Sequence, residues 1–236
     1  MLRLRPAADL LARVSLSADT PLVAHLGCGD GAVSQLLRQR WMRASLRCSG
    51  FSDAALMKAR ERVARPAEFI LESVDEFVSS RNHDSYDVVF IDGALQKAKC
   101  VPVLERLLEQ VRPGGALAAH FPLHGSKDSP SGDALFWQAA KECDALDNLG
   151  LAENASSIDI AECMSVLSGP LCSELDIWSS TYTTPIQTGQ TQGLVSLLGL
   201  ERAVARQVQS VFEREIEKHC PKQPNGSRLL EMSYVF

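Results

Sequence analysis

One stretch constrains this chain more than any other: Leu22-Val23-Ala24-His25-Leu26, then Gly27-Cys28-Gly29-Asp30-Gly31, then Ala32 to Arg40. The first part is a largely apolar run of strand length. The middle part must reverse tightly, because glycine tolerates positive φ and leaves room for close backbone approach. In the last part Leu36, Leu37 and Arg40 recur at helical spacing. The unit is therefore strand, glycine turn, helix. Such a turn aims backbone N–H groups and a helix N-terminus at one spot, which suits an anionic or carboxylate-bearing ligand. After a strand, before a helix and near the chain start, it points to a nucleotide-like cofactor at the first turn of a doubly wound sheet.

The remaining chain alternates in the same way. Residues 6–14 read as a first helix and Ala44 to Phe51 as a second strand, with Leu46, Cys48 and Phe51 as its buried positions. Asp53 is read as the cap of a helix over Ala54 to Val63, since a short acidic side chain accepts from the free N–H groups at a helix start. Ala67 to Leu71 is a third strand and Val74 to Ser80 a brief helix. Tyr86 to Ile91 is the clearest strand, a continuous apolar run of the kind buried on both faces in a parallel sheet. Val101 to Val111 is helical, with Leu104, Leu107, Leu108 and Val111 on one face. Arg112-Pro113-Gly114-Gly115 is a turn, Ala116 to Phe121 a fifth strand and Pro122 to Ser131 a polar loop. Helices follow at Asp133 to Leu149 and Ile158 to Leu167, then an antiparallel edge strand at Leu175 to Thr184, mostly helix at Gly193 to Cys220, and a last strand at Arg228 to Phe236. This alternation predicts an α/β fold with a doubly wound, mostly parallel seven-stranded sheet. No repeat or composition break divides it, so residues 1–236 read as one domain, with a small helical cap inserted at about 189–220.

The segment Leu26-Gly27-Cys28-Gly29-Asp30-Gly31 resembles the first motif of class I S-adenosylmethionine-dependent methyltransferases. Further segments resemble the trans-aconitate methyltransferases: Arg5 to Val14, Leu36-Leu37 with Arg40-Trp41, Ala94-Leu95-Gln96, Asp176-Ile177-Trp178 and Thr181-Tyr182. The resemblance implies a Rossmann-like methyltransferase fold, S-adenosylmethionine as cofactor, and a helical cap that covers the substrate. It places the cofactor against Gly27, Cys28, Gly29 and Gly31, near Ser52 and Asp53 after the second strand, Ser73 after the third and Asp92 after the fourth. Cys28 also reads as a small buried residue beside the turn, and Asp30 as a solvent-facing helix start.

Against the family pattern, three acidic positions are altered. His25 stands where an acid precedes the first glycine, Ser52 where a carboxylate would accept from both ribose hydroxyls, and Ser73 where an Asp would meet the adenine amino group. Asp53 and Asp75 lie one and two residues further on. Losing a hydrogen bond to a charged group costs about 1.5–3 kcal/mol, so three changes together bear on cofactor affinity. Methyl transfer itself is mostly alignment of nucleophile and methylsulfonium, which calls for no catalytic triad. Asp92 ends the fourth strand where cofactor and substrate meet, and a polycarboxylate acceptor would find cations at Lys97, Lys99, His124 and Lys127 on the rim; each also fits a solvated loop. His120 and His124 have a spacing of ligands, but Pro122 breaks any helix that would place them on one face. Phe136, Trp137 and Trp178 read as core.

The net charge of −5 and the lack of a basic stripe argue against nucleic acid as partner. No apolar run is long enough to span a membrane as a helix. Seven cysteines, scattered and never two residues apart in C-x-x-C, fit a reducing compartment rather than a disulfide framework or zinc site. The basic start Met1 to Arg5 leaves the cytoplasm and the mitochondrial matrix both open. Two functions follow. One is methyl transfer to a small carboxylic acid of the trans-aconitate type. The other, carried by His25, Ser52 and Ser73, is an inactive methyltransferase-fold subunit with a structural or assembly role among protein partners, a mitochondrial complex included.

Overall fold

The computed structural model describes residues 4–63, 66–80, 85–92, 100–123, 130–145, 160–187, 191 and 202–236. Seven strands form one sheet: β1 (Leu22–Leu26), β2 (Ser45–Gly50), β3 (Ala67–Leu71), β4 (Tyr86–Asp92), β5 (Val111–Leu123), β6 (Ser179–Ile186) and β7 (Arg228–Val235). Their order is β3-β2-β1-β4-β5-β7-β6. β1 to β5 are parallel to one another, while β7 runs antiparallel to both β5 and β6. The chain starts at β1 and winds outward in both directions, so the order reverses between β1 and β4. At such a reversal the loops diverge and leave a crevice at the carboxyl ends of the strands.

The helices are α1 (Leu4–Arg13), α2 (Ala32–Arg40), α3 (Asp53–Arg62), α4 (Val74–Ser79), α5 (Cys100–Glu109), α6 (Gly132–Glu142), α7 (Ile160–Leu167) and α8 (Arg202–His219). They cover two faces. One core joins Val23, Cys48, Val88 and Phe90 of the sheet to Leu10, Leu37, Leu56, Leu135 and Phe212 from α1, α2, α3, α6 and α8. The other joins Ala24, Leu26, Val89 and Ile91 to Phe77, Leu104 and Cys163 from α4, α5 and α7. Alternate residues of β1 and β4 thus serve opposite faces, as the period of two requires. Val88, Val89, Phe90 and Ile91 are all fully buried, and each such side chain contributes about 1.5–3 kcal/mol by leaving water.

Three local readings of the sequence change. The cap of α3 is Ser52, whose Oγ accepts from Ala55 N at 3.4 Å; Asp53 is the first helical residue and is exposed. Extended φ and ψ at residue 52 and a short hydroxyl meet the requirement one residue earlier than the acid does. The turn at Arg112 to Gly115 is a bulge inside β5, since Tyr86 pairs with Val111 but Val88 with Ala116. Gly115 is required there because a Cβ would lie 2.7 Å from Asp87 O. Asp87 holds the bulge from the other side, accepting from Arg112 at 3.0 Å and from Leu22 N at 2.7 Å. Of the expected cap at 189–220, the described helix α8 packs along α6 and β7 as part of a layer on the sheet face, with Val208, Phe212 and Ile216 buried. Residues 188–190 and 192–201 lie outside the described residues, as do Lys97, Lys99, His124 and Lys127.

The far edge of the sheet is tied back to the start of the chain. Arg13 lies 4.0 Å over the Trp178 ring and 2.6 Å from Asp176, and Trp178 stacks on Phe236 with centroids 4.7 Å apart. The Tyr182 hydroxyl donates to Asp9 at 2.7 Å.

Candidate active site

Three turns and the last residue of β4 lie at the carboxyl ends of the strands. In the first, Gly27, Gly29 and Gly31 all have positive φ, at 81°, 51° and 80°. The N–H groups of Gly27 and Cys28 both donate to Ser49 O, at 3.0 and 2.9 Å, which fastens the turn to β2. Gly31 N donates to Cys28 O at 2.9 Å, and a Cβ on Gly31 would stand 2.8 Å from Ala59. Gly31 is therefore the point where α3 passes against the turn. Asp30 is buried and bridges the same contact, accepting from Ala32 N at 3.2 Å and from Arg62 at 2.6 Å. It does not face solvent. Gly29 differs from Gly31: among the described residues, a Cβ there would find only Gly27 O within reach, at 4.0 Å.

His25 does not stand there. Its side chain points to the α2 face, where Nδ1 lies 2.7 Å from Ser34 Oγ and the ring meets Phe90 edge-on at 5.5 Å. Leu26 takes the opposite face, so position 25 is directed under α2 by strand alternation alone.

The second and third turns are closed by their own serines. Ser52 caps α3, and exposed Asp53 lies 3.8 Å from Arg60 on its own helix. Ser73 caps α4 in a reciprocal pair: its Oγ accepts from Glu76 N at 3.2 Å, and its N–H donates to Glu76 at 2.6 Å. The Ser73 amide and hydroxyl hold the Glu76 carboxyl below the usual carboxylate range. Asp75 is exposed. Beside them stands a carboxylate that the sequence reading missed. Glu72, at the end of β3, accepts from Ser49 Oγ at 2.6 Å and lies 3.4 Å from Arg47. Only the strand pairing brings these together, because β2 and β3 run side by side with Gly50 opposite Leu71.

At the end of β4 Asp92 is buried, and its Oδ1 lies 3.1 Å from Nε2 of His120 on β5. The two are partners in the strand register. Phe90, Tyr234 and Phe236 pack around the His120 ring at 5.5–6.2 Å. In the sequence, His120 stood out only for its distance from His124. The usable signal was that both residues lie toward the same rim on adjacent parallel strands. Gly27, Cys28, Gly29 and Asp92 thus lie at the ends of the adjacent parallel strands β1 and β4.

Among the described residues, no side chain stands within 4 Å of a Cβ built on Gly29, and Asp92 ends the neighbouring strand β4. Residue 52 lacks the ribose carboxylate, its serine being engaged in a helix cap. Among the described residues no cluster of three or more metal-ligating side chains occurs, and no helix is long and apolar enough to cross a membrane.

Comparison with known proteins bears on the family and the fold. A methyltransferase domain family model matches residues 23–115, from β1 into the bulge of β5. A trans-aconitate 2-methyltransferase from Rhodopseudomonas palustris is 31% identical over 252 residues, spanning 99% of this chain and 92% of the relative. Another, from Paracidovorax citrulli, is 29% identical over 245 residues, spanning 99% and 92%. Among solved structures, phosphoethanolamine N-methyltransferase 2 of Haemonchus contortus, in complex with S-adenosylhomocysteine, shares the fold with a TM-score of 0.58 at 12% identity, covering 98% of this chain and 52% of that one. The chain belongs to the class I S-adenosylmethionine-dependent methyltransferases, with S-adenosylmethionine as cofactor, and within them resembles the trans-aconitate methyltransferases.

Proposed function

We propose that residues 1–236 act as a single methyltransferase domain that methylates a carboxylate oxygen of a small carboxylic acid of the trans-aconitate type. The observation that supports this reading is the position of Gly29, where among the described residues a Cβ would meet only Gly27 O, at 4.0 Å. S-adenosylmethionine supplies an activated methyl group there. Gly27, Cys28 and Gly29 hold its methionine portion by backbone approach, and Gly31 keeps the turn seated on α3. Ser52 and Ser73 act through the backbone they fix at the ribose and adenine ends, with Asp53 outside the crevice. Asp92 stands where cofactor and acceptor meet, its orientation held by His120. An acceptor carboxylate is already anionic, so it needs placement rather than a base, and placement is the larger part of the acceleration. Incubation with S-adenosylmethionine and trans-aconitate, read by mass spectrometry, is expected to yield a monomethyl ester and one S-adenosylhomocysteine per turnover. Cofactor binding without ester formation from any member of a di- and tricarboxylate panel overturns the acceptor class.

A second reading, an inactive subunit acting through protein partners, is favoured by one observation: Ser52 and Ser73 are engaged as helix caps where the family's acids would bind. Calorimetric titration separates the two. Absence of binding at millimolar S-adenosylmethionine overturns the enzyme, and saturable binding with turnover overturns the inactive subunit.

A further inference from the structure

The ribose of S-adenosylmethionine carries two adjacent hydroxyls, and a carboxylate is the side chain whose two oxygens can accept from both. Residue 52 supplies none, because its hydroxyl caps α3. Asp53 is exposed and lies 3.8 Å from Arg60 on its own helix, and the Glu76 carboxylate accepts from Ser73 N. Of the described carboxylates that flank the ends of β2 and β3, Glu72 is the one anchored to the residue that also holds the glycine turn. That residue is Ser49. Its carbonyl accepts from Gly27 N and Cys28 N at 3.0 and 2.9 Å, and its hydroxyl donates to Glu72 Oε1 at 2.6 Å. The backbone repeats the link, since Glu72 N donates to Gly50 O at 3.2 Å.

The surroundings of the carboxylate suit a ligand contact. Its side chain keeps 11% exposure. Arg47 on β2 lies 3.4 and 3.5 Å from Oε1 and Oε2, with its guanidinium 5.2 Å over the Phe77 ring. The ring and the ion pair fix the side chain and supply its countercharge. Oε1 is engaged by Ser49. Among the described residues Oε2 meets only Arg47, at 3.5 Å. A full hydrogen bond spans about 2.7–3.2 Å, so Oε2 keeps accepting capacity. β3 lies one strand further from the glycine turn than β2 does. The glutamate already crosses that gap of about 4.8 Å, because its oxygen meets a hydroxyl on β2. We propose that Glu72 accepts from the ribose hydroxyls of the cofactor, with Ser49 and Arg47 as its positioning residues. The nucleoside end of the site is then read by a carboxylate from β3 in place of one after β2. This role rests on the reading of the glycine turn as the cofactor site.

The test is calorimetric titration of the full chain with S-adenosylhomocysteine, and with analogues of it lacking the 2′ or the 3′ ribose hydroxyl. Glu72→Gln keeps an acceptor for Ser49 but has one carbonyl oxygen, and its affinity for S-adenosylhomocysteine is expected to fall about tenfold. The native chain is expected to lose a similar factor for at least one deoxy analogue. The variant is expected to lose less than about twofold for the same analogue, because hydroxyl and carboxylate are two ends of one interaction. Removing one partner of a buried ion pair can unfold a chain. Should Glu72→Gln fail to fold, Arg47→Met combined with Glu72→Gln removes the buried charge with its partner and carries the same cycle. Equal losses for the deoxy analogues in native chain and variant overturn the ribose contact. So does a loss that couples instead to the analogue without the adenine amino group, which would assign Glu72 to the base. A lower urea midpoint with unchanged affinity makes Glu72 a structural ion pair and overturns the contact as well. A native chain that binds neither S-adenosylmethionine nor S-adenosylhomocysteine overturns it together with the cofactor reading, and that failure is told apart because it precedes any substitution.

Discussion

The first crossover of this sheet and the two that flank it start their helices in opposite ways. α2 begins on Gly31, which has no side chain to cap with, and the turn before it is held by its own backbone on Ser49 O and by Asp30 on Arg62. α3 and α4 begin on Ser52 and Ser73, whose hydroxyls take the N–H groups at the helix starts. A capped start is complete within the chain. An uncapped start whose turn is anchored from beneath leaves its front to backbone, and at Gly29 a Cβ would meet only Gly27 O among the described residues. The proposed ligand contacts therefore fall first on the turn with the fewest side chains, while the hydroxyls of the two capped turns are taken up by their own helices.

Substitutions can break this contrast. The largest effect is expected for Gly29→Val, which puts side-chain atoms at the proposed cofactor contact and forces a β-branched residue to a φ of 51°. Cofactor affinity should fall about a hundredfold, or ~2.7 kcal/mol, by calorimetric titration; an unchanged affinity would refute the assignment of that contact. Gly31→Val should act on folding instead. Left-handed strain of ~1–2 kcal/mol joins ~1–3 kcal/mol of overpacking against Ala59, seen as a lower urea midpoint with little change in affinity per folded molecule. Ser52→Ala and Ser73→Ala should each cost about 1 kcal/mol of stability and leave the affinity within about twofold, ~0.4 kcal/mol. A large affinity loss in either would show that the capped turns also hold ligand.

The smallest effect lies far from the rim and serves as a control. Burial, then the bond to Asp9, raises the Tyr182 pKa from 10 to about 12. The protonated phenol is thus favoured in the folded state. Its contribution is complete below pH 10 and is lost as pH rises through about 12. The half-exposed bond is expected to contribute about 0.5 kcal/mol, so Tyr182→Phe should abolish that part of the alkaline destabilisation in pH-dependent unfolding and leave cofactor affinity untouched.

Much of this was legible in the residues. The apolar run at Val88 to Ile91 could only be a buried central strand, and glycine at three alternating positions between a strand and a helix could only be a tight turn. The division of labour among those glycines was not legible, because it depends on whether Ala59 or only the carbonyl of Gly27 lies opposite, among the described residues. Asp53 was read as the cap because Asp and Ser serve equally well, and the choice was made by a backbone angle one residue earlier. Glu72 was passed over since its partners Ser49 and Arg47 lie 23 and 25 residues away and adjoin it only across two strands.

Periodicity and glycine placement by themselves determined the α/β winding and the location of the glycine turn, for both are local and act within one or two elements. The juxtaposition of Asp92 with His120, of Glu72 with Ser49 and Arg47, and the turn of His25 toward Ser34 were decided by tertiary structure alone. Each depends on which strands become neighbours and in what register, and register is a property of the packed sheet rather than of any one segment.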